Sequence, residues 1–139
     1  MSSVELALAA ARHWPVFPAK LVPDPRPDDP DHLAKSPAIF GWQRKATQDP
    51  QQIRTWWQQF PDAAVGIPMG KRSGLIVVDI DDPAALAASG LDLSDGVPVP
   101  THRPGGTHYY FALPVSGKLP PGNAHGGIDC RSEGNFVVL

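Results

Sequence analysis

The segment Leu75-Ile76-Val77-Val78-Asp79-Ile80-Asp81-Asp82-Pro83 constrains this chain more than any other. Four apolar residues, three of them β-branched, predict a buried strand. The strand then runs into an Asp-x-Asp pair. Side chains alternate faces along a strand, so Asp79 and Asp81 share a solvent-facing strand end about 7 Å apart, while Ile80 points into the core. Two carboxylates so placed suit a divalent cation, which takes oxygen ligands. The plain alternative is a strand that simply ends in solvent with two hydrated acids. Asp82 falls on the other face and precedes Pro83 and the helix-forming Ala84-Ala85-Leu86-Ala87-Ala88. It therefore reads as a helix N-cap with proline at the first helical position.

A chain of 139 residues suits a single domain with a real core. The formal net charge of −2 gives no overall basic field, so any contact with nucleic acid must use local basic groups. Cys130 is the only cysteine, which excludes an internal disulfide framework and a multi-cysteine zinc site and fits a reducing cytoplasm. No signal peptide and no membrane-spanning apolar run is visible. The final Asn135-Phe136-Val137-Val138-Leu139 is a strand pattern with no turn or cap after it, which predicts a fragment of a longer polypeptide.

Periodicity predicts an amphipathic helix over 4–14 and a short strand over 15–19. Residues 23–32 form a Pro/Asp-rich loop that Lys35-Ser36-Pro37-Ala38 continues. A second helix starts at Asp49-Pro50, with Ile53, Trp56, Trp57 and Phe60 on its apolar face. Trp56 and Trp57 read as core and partner surface rather than as a base-stacking platform. Strands over 64–69 and 75–81 flank the turn Gly70–Gly74 and predict a hairpin. A short helix, a loop over 89–96, an extended segment over 97–101 and a strand over 108–113 follow. Residues 114–126 read as a loop, and 127–131 with 135–139 as a closing pair of strands. The sum is an α+β domain with a mostly antiparallel sheet.

Two further segments carry chemistry. In Thr101-His102-Arg103-Pro104-Gly105-Gly106-Thr107-His108, Gly105 and Gly106 allow backbone N–H groups to approach a phosphate, and His108 opens the next strand, able to donate to a phosphate oxygen. The plain reading is a hairpin turn before an aromatic-rich strand, with His102 and Arg103 as solvated loop residues. In Ile128-Asp129-Cys130-Arg131, Asp129 and Arg131 share a strand face, either as a metal ligand beside a phosphate clamp or as a plain salt bridge. Cys130 alternates to the core side and reads as packing, not as a nucleophile. His13, His32 and His125 have no neighbours that suggest ligands.

Taken in order, these motifs resemble the bifunctional DNA primase/polymerase N-terminal (Prim-Pol) domain of the archaeo-eukaryotic primase superfamily. The resemblance spans nearly the whole chain. It rests on the Ala-rich N-terminal helix, Lys35-Ser36-Pro37 through Gly41-Trp42, Asp49 to Trp57, Gly66 through Asp81, Gly105 through Phe111, and Ile128 through Arg131. It implies an RRM-like, mostly antiparallel catalytic sheet packed with helices and a smaller N-terminal α/β unit, all within one domain over 1–139. It implies template-dependent nucleotidyl transfer in plasmid, phage or prophage replication. Asp79, Asp81 and Asp129 would hold two divalent ions, Mg²⁺ or Mn²⁺. His108, with the Gly105-Gly106 backbone, would contact the phosphates of a nucleoside triphosphate, and Arg131 and Lys35 would contact nucleotide or template. Single-stranded DNA is the expected template, with Lys71, Arg72 and Arg103 as candidate contacts, and a helicase domain could follow in the full-length chain. The family often carries Asn shortly before the glycine of Val65-Gly66-Ile67, where Ala64 stands here, and its last strand usually runs on into a Pro-rich segment. Two other readings compete: a nucleotide- or origin-binding module without activity, and a metal-dependent nucleotide-sugar glycosyltransferase.

Overall fold

The computed structural model describes residues 1–101, 103–113 and 126–139. The loop expected over 114–126 therefore lies outside the described residues apart from Gly126, as do His102 and His125. The chain forms two compact units, Met1–Pro68 with Phe136–Leu139, and Met69–Asn135. Each holds a four-stranded sheet in which every pair of strands is antiparallel, so the expected α+β class holds.

The first unit opens with helix α1, Ser3–Ala10. The Ser2 hydroxyl accepts from the Glu5 N–H and the Glu5 carboxylate accepts from the Ser2 N–H, a reciprocal cap that fixes the first turn. The helix ends earlier than the 4–14 periodicity predicts, and the residues up to Trp14 continue as turns whose His13 and Trp14 N–H groups donate to the Ala10 carbonyl. Strand β1, Phe17–Pro23, pairs on one side with β2, Leu33–Pro37, and on the other with β3, Ala64–Pro68. Lys35-Ser36-Pro37, expected as loop, thus belongs to a strand. Prolines are tolerated at such an edge, where no neighbour needs the missing N–H. A one-turn helix α2, Trp42–Lys45, went unforeseen because four residues carry no periodicity. Helix α3, Pro50–Gln59, starts as predicted, with the Asp49 carboxylate accepting from the Gln51 N–H. Trp56 and Trp57 are both buried, and the Trp57 indole donates to the Ala63 carbonyl at 3.2 Å.

The core of this unit is organised around Phe17. Its ring lies 4.9 Å from Trp42 and 5.2 Å from Phe136, centroid to centroid. It covers Gly66, its direct cross-strand partner.

The second unit contains strand β4, Leu75–Ile80, helix α4, Pro83–Ser89, and strands β5, Val97–Pro100, β6, Thr107–Ala112, and β7, Ile128–Arg131. Its sheet order is β5-β6-β4-β7. The Asp82 carboxylate accepts from the Ala84 N–H and caps α4 as predicted. One face carries the core: Ile76, Val78, Ile80, Phe111, Ile128 and Cys130, joined by Leu93 and covered by Ala85, Leu86 and Leu91.

Two pairings differ from the sequence reading. β3 and β4 form no hairpin, because β3 joins the first sheet and β4 the second, with a single bridge between Gly70 and Leu75. Likewise β7 pairs with β4, while the last strand β8, Phe136–Val138, pairs with β3. Both errors have one cause. A Gly-rich turn marks a reversal or a crossing equally well, and only the partners available on each sheet decide which. The two crossing segments are tied together where the Met69 N–H donates to the Asn135 carbonyl at 2.9 Å. Among the described residues, no helix is long and apolar enough to cross a membrane.

A methyl group on Gly66 would meet the Phe17 ring at 2.5 Å, and that ring is fully buried against Trp42 and Phe136. Gly66→Ala should therefore lower stability by about 2 kcal/mol through overpacking. A lower denaturant midpoint at unchanged slope is the expected outcome in urea unfolding.

Candidate active site

Strand register assembles the site. In β4 and β6, Asp79 stands directly opposite His108, and on the other side of β4 it stands opposite Asp129 of β7. Directly opposed residues of antiparallel strands project from the same face. A row Val99–His108–Asp79–Asp129 therefore crosses all four strands, on the face away from the core. The adjacent row is Val97–Tyr110–Val77–Arg131.

Asp79 and His108 are the buried charged or polar residues of the described chain, each under a tenth exposed. Asp79 is thus not the solvent-facing residue expected from sequence. It lies inside the ladder, with a strand on either side, whereas Asp81 lies past Ile80, the last paired position, and keeps about two-fifths of its side chain exposed. His108 Nε2 is 3.5 Å from Asp79 Oδ1, an ion pair whenever the ring is protonated. Arg131 Nε is 3.4 Å from Asp129 Oδ2, two positions along the same strand. The sequence left this pair as a salt bridge or a ligand beside a clamp, and the contact is present.

Asp81 is positioned by backbone. Its N–H donates to the Gly127 carbonyl at 2.8 Å, and the Asp82 N–H reaches the same oxygen at 3.4 Å. Gly127 has φ +94°, and a Cβ there would meet the Asp82 Cβ at 2.7 Å, so only glycine fits this approach. Because β6 begins with Thr107 opposite Ile80, the turn before β6 falls beside Asp81. Within that turn the Gly106 N–H donates to the Arg103 carbonyl at 2.9 Å and Gly105 takes φ +77°. The turn delivers Arg103, whose Nη1 is 3.7 Å from Asp81 Oδ2.

Sequence reasoning placed Arg103 among solvated or template-facing residues and gave Gly127 no role. The signals were there: Pro104-Gly105-Gly106 directly before His108, and Gly126-Gly127 directly before the strand of Asp129. Gly106 is buried and uses its N–H inside the turn. Lys35 stands exposed on β2 of the first unit. Lys71 and Arg72 are exposed in the turn before β4. Cys130 is buried, and burial, reinforced by the Asp129 charge, pushes its thiol up, which suits packing rather than nucleophilic chemistry.

Three aspartates, two arginines and one histidine meet on this face. With His108 neutral, three negative charges against two positive leave a surplus of one negative charge. Burial raises the Asp81 carboxyl above the ordinary carboxylate range and the Asp79 charge raises it further, while Arg103, His108 and Arg131 oppose the rise. Tyr110 is raised too, by burial and then by Asp79. Among the described residues, no three His, Cys, Asp or Glu side chains converge on one point as a ready-made ion site. The donor set nevertheless has the chemistry for hard cations: carboxylate oxygens on one face, with a negative surplus.

A family model for the N-terminal domain of bifunctional DNA primase/polymerase matches residues 6–139. The chain belongs to this Prim-Pol family. It is a replication domain of the primase/polymerase type. No curated protein matches it. Within the Prim-Pol domain, the residues singled out in β4, β6 and β7 are neighbours in space although up to 52 positions separate Asp79 from Arg131 in sequence.

The charge arrangement predicts a titration. Because the folded-state value of Asp81 is raised, its ionised form costs stability. That cost is absent below the ordinary carboxylate value and complete above the raised one. In carbonyl-carbon NMR, Asp81 should titrate above an ordinary aspartate. Asp79→Asn should bring the value down, and Arg103→Gln should push it up.

Proposed function

We propose that this domain catalyses template-dependent nucleotidyl transfer, extending and initiating strands on single-stranded DNA. The observation that supports this best is the row Asp129–Asp79–His108, which sets two carboxylates and an imidazole side by side across three strands in a chain of the Prim-Pol family. Asp79, Asp81 and Asp129 would hold Mg²⁺ or Mn²⁺. Bound there, such ions would supply charge for activation of an attacking 3′-hydroxyl and for neutralisation of the departing pyrophosphate.

The protein's own residues supply the remainder. His108 is buried in the ladder, so packing orients its ring before a ligand arrives, and it is the natural donor to a phosphate oxygen. Arg131, only partly buried, presents a planar fork suited to phosphate. Asp79 stands beside the imidazole, with its Oδ1 3.5 Å from Nε2. Template contacts would fall to exposed basic side chains such as Lys71 and Arg72 in this unit and Lys35 on β2, and such contacts weaken steeply with salt.

The test is extension of a labelled primer on single-stranded DNA with Mn²⁺ or Mg²⁺, with a primer-free lane for initiation. Asp79→Asn and Asp81→Asn should cut synthesis by roughly 100-fold or more. His108→Ala should raise the nucleotide KM more than it changes template affinity. Asp82→Ala should lose about 1 kcal/mol of stability as a missing helix cap and still extend. Synthesis undiminished in both aspartate variants would sink the assignment. Metal-dependent nucleotide binding with no extension would point to a binding module instead.

A further inference from the structure

The three carboxylates of the site each carry their own basic partner, drawn from three places in the chain. His108 comes from β6, Arg131 from β7 and Arg103 from the turn between β5 and β6. The pairings span 3.4 to 3.7 Å; two lie on one sheet face, and the third, Arg103 with Asp81, lies just past the end of the ladder. Arg103 stands out among them. It is not in a strand, its guanidinium is more than a third exposed, and the carboxylate it meets is the most exposed of the three.

Resting on the nucleotidyl-transfer reading, we propose that Arg103 is an exchangeable counter-ion: it holds Asp81 in the ligand-free site and moves to the phosphates of the incoming nucleoside triphosphate when a divalent ion takes its place. The electrostatics favour such a swap. Without ligands, Arg103 stands against Asp81 at a site that gathers three carboxylates. A divalent ion suits such a site better, since it brings two charges and binds several oxygens. Arg103 is then released within reach of the same ligand, and its fork matches a phosphate as well as it matched a carboxylate. The turn suits the move. Arg103 is fastened by its backbone, through the Gly106 N–H to its carbonyl, so the side chain can swing without unravelling the turn. His108 has no such freedom, because it is buried inside the ladder.

The effect of Arg103 on ion binding then reverses when a triphosphate is present. With no nucleotide present, Arg103 and the divalent ion are rivals for Asp81. With a triphosphate present they cooperate. A merely structural salt bridge predicts neither effect.

The experiment compares wild type, Arg103→Gln and Arg103→Lys. Mn²⁺ binding is measured by electron paramagnetic resonance without nucleotide, and binding of a triphosphate and of the corresponding monophosphate by calorimetry with Ca²⁺. Thermal unfolding checks that each variant is folded, and Arg103→Lys keeps the charge should Arg103→Gln fail to fold. In Arg103→Gln, Mn²⁺ should bind several-fold more tightly without nucleotide, because the rival is gone. The triphosphate should bind about tenfold more weakly, and the monophosphate should change little. Arg103→Lys should lie between the two for both ligands. Unchanged or weaker Mn²⁺ binding in Arg103→Gln overturns the counter-ion role, and unchanged triphosphate affinity overturns the phosphate role. If wild type binds no triphosphate at all, the nucleotidyl-transfer reading itself falls and takes the phosphate role with it, while tighter Mn²⁺ binding in Arg103→Gln still establishes the pairing with Asp81.

Discussion

The site is organised around one constraint: a carboxylate, Asp79, buried in the middle of a β-sheet. An ionised group out of water needs compensation close by, or it takes up a proton. Register sets which charged groups stand nearest. His108 is brought opposite Asp79 on one side and Asp129 on the other, and the second carboxylate carries Arg131 with it. A slip of one residue in either pairing would turn a partner onto the far face, among Ile76, Val78 and Ile80. The apolar face thus does more than stabilise the unit. By fixing which residues of β4, β6 and β7 point inward, it fixes which charges meet on the other side.

Backbone geometry extends this row beyond the end of the ladder. Asp81 has no strand partner, yet it is held by the Gly127 carbonyl at the start of β7, and Arg103 reaches it from the turn that starts β6. Both connections depend on glycines in conformations that a larger residue does not enter freely. Rigid strands thus place Asp79, His108 and Asp129, and two turns place Asp81 and Arg103. Groups on turns move more easily than groups in a ladder, so the exchangeable part of the site lies at its rim and the fixed part at its centre.

Much of this was legible in the sequence. The alternation in Leu75–Asp81 gave the shared face of Asp79 and Asp81, and the alternation in Ile128–Arg131 gave the shared face of Asp129 and Arg131. Asp49 and Asp82 declared their helices by standing before a proline. What failed was non-local. The sequence pattern of a strand does not say which strand lies beside it, so the crossings at Gly70–Gly74 and at Ser132–Asn135 were taken for reversals. The burial of Asp79 was hidden for the same reason, since it follows from having a neighbour on both sides. Arg103 was undervalued because its partner is 22 positions earlier in the chain, and only the register of Thr107 against Ile80 brings the two together.

The edge of the sheet beside the site follows its own logic. β5 alternates Val97, Pro98, Val99 and Pro100, and it pairs with β6 alone. Successive N–H groups of a strand point to opposite sides, and proline has none. The valines must therefore supply the donors to β6, and the prolines fall where the outer edge would otherwise offer donors. Such an edge resists the addition of a further strand. The same alternation leaves Val97 and Val99 exposed on the face of the site, Val99 directly across His108 from Asp79. A fully polar edge strand would surround the carboxylates with competing hydrogen-bond partners. Two aliphatic side chains, both exposed, instead bound the site on that side.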